Sequence, residues 1–253
     1  FFFKQTTAYE IPLCLGGLGD VYKRQIPDQK PILKVNWPQL KYIFDSSRMK
    51  VQVFAEPRKS GEDSVKVWME REDGLQVAVG SAAIGEHSKS ELRQKDYRPC
   101  DPEDLRILNR VKPGMSLGSY DIHTRTDKQY QRYDAGLISD PLPWYRKGSP
   151  WGGSVAAPCT VMEYLWGYSM NGLAPLVGDS VGLFGAIEIG FEKGPFMMSR
   201  DYHLESRVVC VGQSPQTEYV WYETDAFDYL GDRVARLLIQ SRAMKASSSA
   251  YQE

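Results

Sequence analysis

The stretch from Asp140 to Tyr168, D-P-L-P-W-Y-R-K-G-S-P-W-G-G-S-V-A-A-P-C-T-V-M-E-Y-L-W-G-Y, constrains the fold most: a proline-stiffened polar loop passes through a glycine pair into an apolar segment. Val155, Val161, Met162, Leu165 and Trp166 recur at helical spacing, giving an incomplete apolar face. Pro158 is tolerated in a helix only in the first turn, so the pattern predicts a helix starting near 154–157, with Ser154 available as its cap. First-turn amides have no partner inside a helix and lie at the positive end of its dipole. A carbonyl oxygen that gains charge during a reaction can be held there. A glycine pair before a helix also serves simply to turn the chain, and both readings stand at this point.

The flanking sequence reads as sheet. Met49 to Gly85 has the alternation and β-branched content of an antiparallel meander, M-K-V-Q-V-F-A-E, S-V-K-V-W-M-E-R and L-Q-V-A-V-G-S-A-A-I, with a turn at Glu72-Asp73-Gly74. After the central helix come V-G-L-F-G-A-I-E-I-G-F, S-R-V-V-C-V-G, T-E-Y-V-W-Y-E-T and R-V-A-R-L-L-I-Q, and the last three again form a meander. A short helix is expected from Asp127 to Ala135. The two meanders line up: Val67-Trp68 answers Val220-Trp221, Gly74 answers Gly231, and Val77-Ala78 answers Val234-Ala235. Their period of roughly 155 residues is one domain's length. The chain reads as the back half of one module at 26–90, a linker at 91–104 within the polar, proline-broken run 86–104, and a second module at 105–253.

Residues 1–25 read differently from the rest. Asp20 to Gln25, D-V-Y-K-R-Q, is what a transposon end used in sequencing libraries encodes when read as GAT GTG TAT AAG AGA CAG, and F-F-F-K-Q-T-T-A-Y-E before it resembles translated adapter. The stretch is therefore set aside as an artefact of metagenome assembly, and with it Gly16-Gly17-Leu18-Gly19, whose spacing fits no phosphate-binding loop. A formal net charge of -1 gives no electrostatic reason for a nucleic-acid partner, and no apolar run is long enough to span a bilayer. Cys14, Cys100, Cys159 and Cys210 are isolated from one another, and so are His87, His123 and His203. No metal site or disulfide framework is expected, and a reducing cytoplasm is the simpler setting.

A central helix wrapped by a curved antiparallel sheet resembles the α+β hotdog fold. The order of loop, glycine pair, A-A-P helix and meander from Asp140 to Leu237, the closing G-D-R-V-A-R and the partial repeat resemble the MaoC-like acyl-CoA hydratases and dehydratases, here as a truncated double hotdog. The likeness spans about residues 40–245. It implies an active loop of the form D-x-N-P-x-H, in which aspartate and histidine activate water against an enoyl thioester while a helix-start amide binds the thioester carbonyl. Asp140 falls on the aspartate and Pro143 on the proline, Leu142 replaces the asparagine, and Tyr145 stands where the histidine is expected. An unperturbed tyrosine, with a pKa of about 10, acts mainly as a donor, which puts the usual proton shuttle in question.

The implied lyase uses Asp140 as base, Tyr145 as hydrogen-bond donor or acid, and the Gly152 or Gly153 amide as oxyanion site. It needs no cofactor beyond the CoA or acyl-carrier thioester of the substrate. Trp144, Trp151 and Ser154 are expected to line the substrate site, with Arg146 and Lys147 solvated and only secondarily placed to touch a cofactor phosphate. The bland alternatives are that Asp140 caps a turn and that Trp144, Tyr145, Trp151, Tyr164, Trp166 and Tyr168 are core packing. Two other readings remain: a catalytically silent acyl-CoA-binding or structural hotdog subunit supporting an active partner, and an unrelated enzyme on the same fold. Hotdog modules pair through their sheets, so a homo- or heterodimer is expected.

Overall fold

The computed structural model describes residues 31–36, 51–55, 64–71, 73–84, 90, 92–135, 138 and 142–252. Residues 1–25 lie outside these, as do Cys14 and His87. Nine strands form one antiparallel sheet: β1 (Pro31–Asn36), β2 (Val51–Ala55), β3 (Ser64–Arg71), β4 (Gln76–Ile84), β5 (Ser116–His123), β6 (Gly182–Phe191), β7 (Asp201–Gln213), β8 (Thr217–Phe227) and β9 (Arg233–Met244). Their order across the sheet is β2-β3-β4-β1-β6-β9-β8-β7-β5. Two helices belong to the second half, α1 (Thr126–Asp134) and α2 (Pro158–Leu173).

The order is two copies of one pattern joined at β1 and β6. Reading outward from that join, β4, β3 and β2 repeat β9, β8 and β7, and β5 adds a fifth strand to the second copy. This is the hotdog arrangement in its double form. At the join, Lys34 faces Glu188 and Val35 faces Ile187. The two hairpins turn at matching glycines, Gly74 and Gly231, both at positive φ (78° and 80°), where a residue without Cβ is favoured. The sequence repeat is in register on one arm only. Gly74 and Val77-Ala78 lie 157 positions before their counterparts, whereas Val67-Trp68 lies 153 before Val220-Trp221. Because Glu70 pairs with Gln76 and Phe227 with Arg233 across the two turns, Val67 is equivalent to Thr224, and the Val-Trp match is a coincidence of composition.

Helix α2 is buried on most of its surface, at Pro158 to Met162, Tyr164, Leu165, Ser169 and Leu173. A helix so enclosed needs apolar walls on several sides. The concave face of the second-half sheet supplies them through Leu204, Val208, Val220, Tyr222, Leu237 and Ile239. The helix meets β5 most closely at Gly172, where a Cβ would lie 1.9 Å from the Leu117 carbonyl oxygen. Only glycine permits that approach.

The polar run read as a linker is irregular, as its prolines imply, but its described part is docked on the convex face. Leu92 joins Ala186, Cys210, Tyr219, Trp221 and Leu238 in a second apolar cluster, and Tyr97 lies against Trp221 with ring centroids 4.7 Å apart. Strand β8 is therefore covered on both faces, and ten of its eleven residues are buried. The Arg93 side chain bridges two acids, donating from Nε to Glu188 (2.9 Å) and from Nη1 to Glu223 (2.9 Å). Those acids flank Leu238 in one row across β6, β9 and β8. Ser90 also donates to Glu188, and Arg207 and Arg236 reach Glu223 from β7 and β9. Burial pushes the Glu223 carboxyl up, but the hydrogen bond from Arg93 and the charges of Arg236, Arg93 and Arg207 outweigh it and hold it below the ordinary glutamate range.

Removing one partner of a buried ion pair leaves an uncompensated charge, an effect of roughly 3–5 kcal/mol. Glu188 is fully buried but keeps the Ser90 hydroxyl, and Glu223 keeps Arg207 and Arg236, so Arg93→Ala is expected to lower unfolding stability by less than that, about 1–3 kcal/mol, in urea titration. Lys193→Ala, which breaks a largely exposed pair with Asp232, is expected to leave the midpoint unchanged.

Candidate functional site

The loop leading to α2 is pinned on the core at both sides of its acid. Ile138 and Leu142 are buried, while Ser139, Asp140 and Pro141 lie outside the described residues. From Leu142 the chain makes a 3-10 turn over Pro143–Tyr145, closed by Tyr145 N–H to the Leu142 carbonyl (3.2 Å) and Arg146 N–H to the Pro143 carbonyl (3.0 Å). The turn faces Tyr145 inward, 1 % exposed. Trp144 stays half-buried and meets Trp151 edge to face, with centroids 5.3 Å apart.

The glycine pair sits in a second turn. Gly152 N–H donates to the Ser149 carbonyl (3.0 Å) and Ser149 N–H to the Gly153 carbonyl (2.8 Å). This corrects the expected oxyanion role of Gly152, whose amide is already used to close the turn. Gly152 has φ 86°, so the turn explains the glycine there. Ser154 does not cap the helix. Its carbonyl accepts from Met198 N–H (2.9 Å), its hydroxyl lies 3.3 Å from the Tyr130 hydroxyl, and Val155 bridges to Met197 as a short piece of strand. That pairing keeps 154–157 extended, so helical geometry begins at Pro158 with Ala157 as N-cap. Gly153 is consequently five residues from the first helical position.

From Val155 onward the donors at the start of α2 leave one amide, while the Gly153 and Ser154 N–H groups before it also have no acceptor among the described residues. Val155 N–H donates to the Trp144 carbonyl and Ala156 N–H to the Phe196 carbonyl. Ala157 N–H donates to Gln129 Oε1 (2.9 Å), and Pro158 has no N–H. Thr160 and Val161 N–H both donate to the Ala157 carbonyl. Among the described residues, no acceptor is bonded to the Cys159 N–H. It is a first-turn donor at the positive end of a buried helix, beside the Tyr145 turn. Burial pushes the Cys159 thiol up to about 11, so the side chain is inert near neutral pH and only the main chain is available for chemistry.

Gln129 was not singled out from the sequence, where a polar residue in a short polar helix reads as solvent-facing. It is fully buried. Its Nε2 donates to the Tyr145 carbonyl (2.7 Å) and the Val155 carbonyl (3.0 Å) as its Oε1 accepts from Ala157. Helix α1 is thereby fixed to both sides of the loop. Next to it Arg132 pairs with Glu163 of α2 at 2.5 Å.

The expected cofactor-phosphate cations differ from each other. The Arg146 guanidinium pairs with Asp134 and lies 4.2 Å over the Tyr133 ring, so this exposed charge is also a link back to α1. Lys147 is exposed. Of the aromatics, Tyr164 is buried and its hydroxyl accepts from Arg125 N–H (2.8 Å), whereas Trp166 and Tyr168 are half-buried.

A serine, a histidine and an aspartate also meet on the sheet's outer edge. Ser119 Oγ lies 2.9 Å from His203 Nε2, and His203 Nδ1 lies 2.7 Å from Asp121 Oδ1. The order is that of a nucleophilic triad, but the Asp121 side chain is 92 % exposed and His203 41 %, on an open strand face. His123 makes the same contact with Asp201 two pairs along, on the same face. In water such groups form a cross-strand polar ladder and lack the dry, preorganised surroundings that acyl transfer uses. Among the described residues, no group of three or more His, Cys, Asp or Glu is placed to hold a metal ion, and no helix is long and apolar enough to cross a membrane.

Three solved structures share the fold over most of the chain. A conserved hypothetical protein from Mycobacterium tuberculosis with a double hotdog fold is 10% identical, with a TM-score of 0.58, covering 94% of this chain and 81% of that one. A putative MaoC domain dehydratase from Chloroflexus aurantiacus J-10-fl is 8% identical, with a TM-score of 0.55, over 94% and 81%. A MaoC-like dehydratase is 14% identical, with a TM-score of 0.51, over 93% and 82%. At these identities the likeness is one of fold. No family model matches the sequence, and no curated protein matches it.

The two glycines are expected to respond differently to substitution. Gly152→Ala places a Cβ at positive φ and should lower stability by about 1 kcal/mol. Gly153→Ala meets only the Met197 methyl at 3.2 Å, a flexible end that can move, and should be close to neutral in the same denaturation experiment.

Proposed function

We propose that the chain is a hydratase or dehydratase-type lyase acting on an enoyl or 3-hydroxyacyl thioester. The observation that carries this reading is the Cys159 N–H, the first-turn donor of α2 without a partner among the described residues. It and the Gly153 N–H, which also has no acceptor among the described residues, are the proposed oxyanion donors in place of Gly152. The Asp140 loop, anchored by buried Ile138 and Leu142, leads into the turn beside it.

In the hydration direction, Asp140 takes a proton from water as the oxygen bonds to C3 of the enoyl group. The C2–C3 π electrons move toward the thioester, whose oxygen gains charge and is held by the Cys159 amide. A proton then returns to C2, giving the 3-hydroxyacyl thioester. Electrons balance within substrate and water, so no redox or prosthetic group is required. A main-chain donor aimed at a developing oxyanion commonly contributes about 3–4 kcal/mol to such a step. Tyr145 takes the place of the resemblance's histidine and serves as hydrogen-bond donor. Trp144, Trp151, Ser154 and Gly153 border the acyl site, and Lys147, with Arg146 held on α1, is the cation nearer to hand for a CoA phosphate. A reducing cytoplasm and pairing of chains through the sheet are part of the same reading.

A second reading rests on one substitution. With Tyr145 where a histidine is expected, the module binds acyl-CoA without turning it over and supports an active partner. The described histidines do not supply the missing base, since His123 and His203 are committed to the outer ladder of β5 and β7.

Hydration of short, long and aromatic enoyl-CoA thioesters by the full chain separates the two. Turnover that falls at least a hundredfold in Asp140→Asn is expected, and Tyr145→Phe should lower kcat less than Asp140→Asn does. Cys159→Ala should keep its rate within twofold, because it retains the peptide N–H. Well-folded protein that binds acyl-CoA with no turnover would instead favour the silent subunit.

A further inference from the structure

One buried carboxamide determines where the candidate donor points. Gln129 binds three segments at once: the turn bearing Tyr145, the extended run at Val155, and the N-cap amide of Ala157. Its orientation is fixed by its partners, since two carbonyls require the NH₂ end and the Ala157 N–H requires the oxygen. No other side chain type matches that set. Glutamate would turn a carboxylate toward two carbonyl oxygens, and leucine would leave three buried main-chain groups unpaired.

We propose that Gln129 is a positioning residue for the lyase reaction, setting the N-terminus of α2 against the Tyr145 turn so that the Cys159 N–H is the donor presented to substrate. The inference rests on the thioester reading above. Gln129 occupies the Ala157 amide, and Pro158 contributes none. The first-turn donor left over is displaced by two residues into the helix. The carbonyls of Tyr145 and Val155 both accept from the Gln129 Nε2, and the Val155 carbonyl, four residues before Cys159, is thereby occupied as an acceptor. They would otherwise present like partial charge to an oxyanion. A shift of about 1 Å in such a constellation costs on the order of a hundredfold in rate.

The test uses Gln129→Leu and Gln129→Glu in the full chain, assayed below their melting temperatures. Gln129→Leu is expected to lose about a hundredfold in kcat with KM within threefold. Gln129→Glu should lose as much at pH 8 and recover at least tenfold, relative to wild type, as pH falls to 5.5. Burial raises a carboxyl's pKa, and the neutral acid can accept from Ala157 while donating to the Tyr145 carbonyl. The titratable groups on the packed elements are Asp127, Lys128, Tyr130, Arg132, Tyr133 and Asp134 of α1, Tyr145 of the turn, and Cys159, Glu163, Tyr164 and Tyr168 of α2. Wild type carries all of them, so its own profile is the control. A Gln129→Glu profile parallel to wild type, or kcat within threefold of wild type at pH 8 in either variant, overturns the proposal. If Gln129→Leu does not fold, the comparison of Gln129→Glu at the two pH values decides alone. Absence of turnover in wild type sinks the thioester reading itself. The clamp is then judged by the Ala157 amide resonance, which should titrate in Gln129→Glu and not in wild type; a resonance that behaves alike in both overturns it.

Discussion

A helix buried on most of its surface is the constraint from which the second half of this protein follows. Helix α2 exposes too little to be satisfied by one sheet face alone, so β5 to β9 curve around it and α1 closes its N-terminal end. Enclosure has a polar consequence. The amides at the helix start are removed from water and each must find an acceptor or be left for a ligand. The Trp144 carbonyl, the Phe196 carbonyl and Gln129 take three in succession, and proline removes a fourth. The site is thus what remains after the fold has satisfied itself.

The same logic operates on the other side of the sheet. β8 carries Glu223 and Asp225 on its convex face, where Arg207, Arg233 and Arg236 of the neighbouring strands pair with them. Covering that face with residues 92–100 brings Leu92 for the apolar cluster and Arg93 for Glu188 and Glu223. The result ties a segment that follows β4 onto strands β6, β8 and β9, so the two hotdog units are held together by the connection as well as by the β1–β6 pairing.

Much of this was legible in the chain. Alternation located β2, β3 and β4, β-branched runs located β6 to β9, and the proline rule placed the start of α2 to within a few residues. What escaped did so for physical reasons. β1, P-I-L-K-V-N, is short and central, and its identity depends on partners far along the chain, Ile84 and Gly190 among them. Arg93 and Gln129 are polar residues in polar surroundings, and only tertiary packing makes them buried ones. The glycine pair misled because it resembles a helix entrance, while the Val155–Met197 bridge, a contact across more than forty residues, holds the following segment extended.

Tyr145 shows how far the candidate site departs from the pattern it resembles. A histidine at that position would need a partner to set its tautomer and room to exchange protons with water. Here the residue is enclosed, its backbone carbonyl is tied to Gln129 and the turn holding it is closed by Leu142. Such rigidity suits a fixed donor better than a mobile proton carrier, because a donor needs only direction, whereas a shuttle needs a pKa near the working pH. The proposed chemistry accordingly assigns orientation to Tyr145 and the other enclosed groups and leaves proton removal to Asp140.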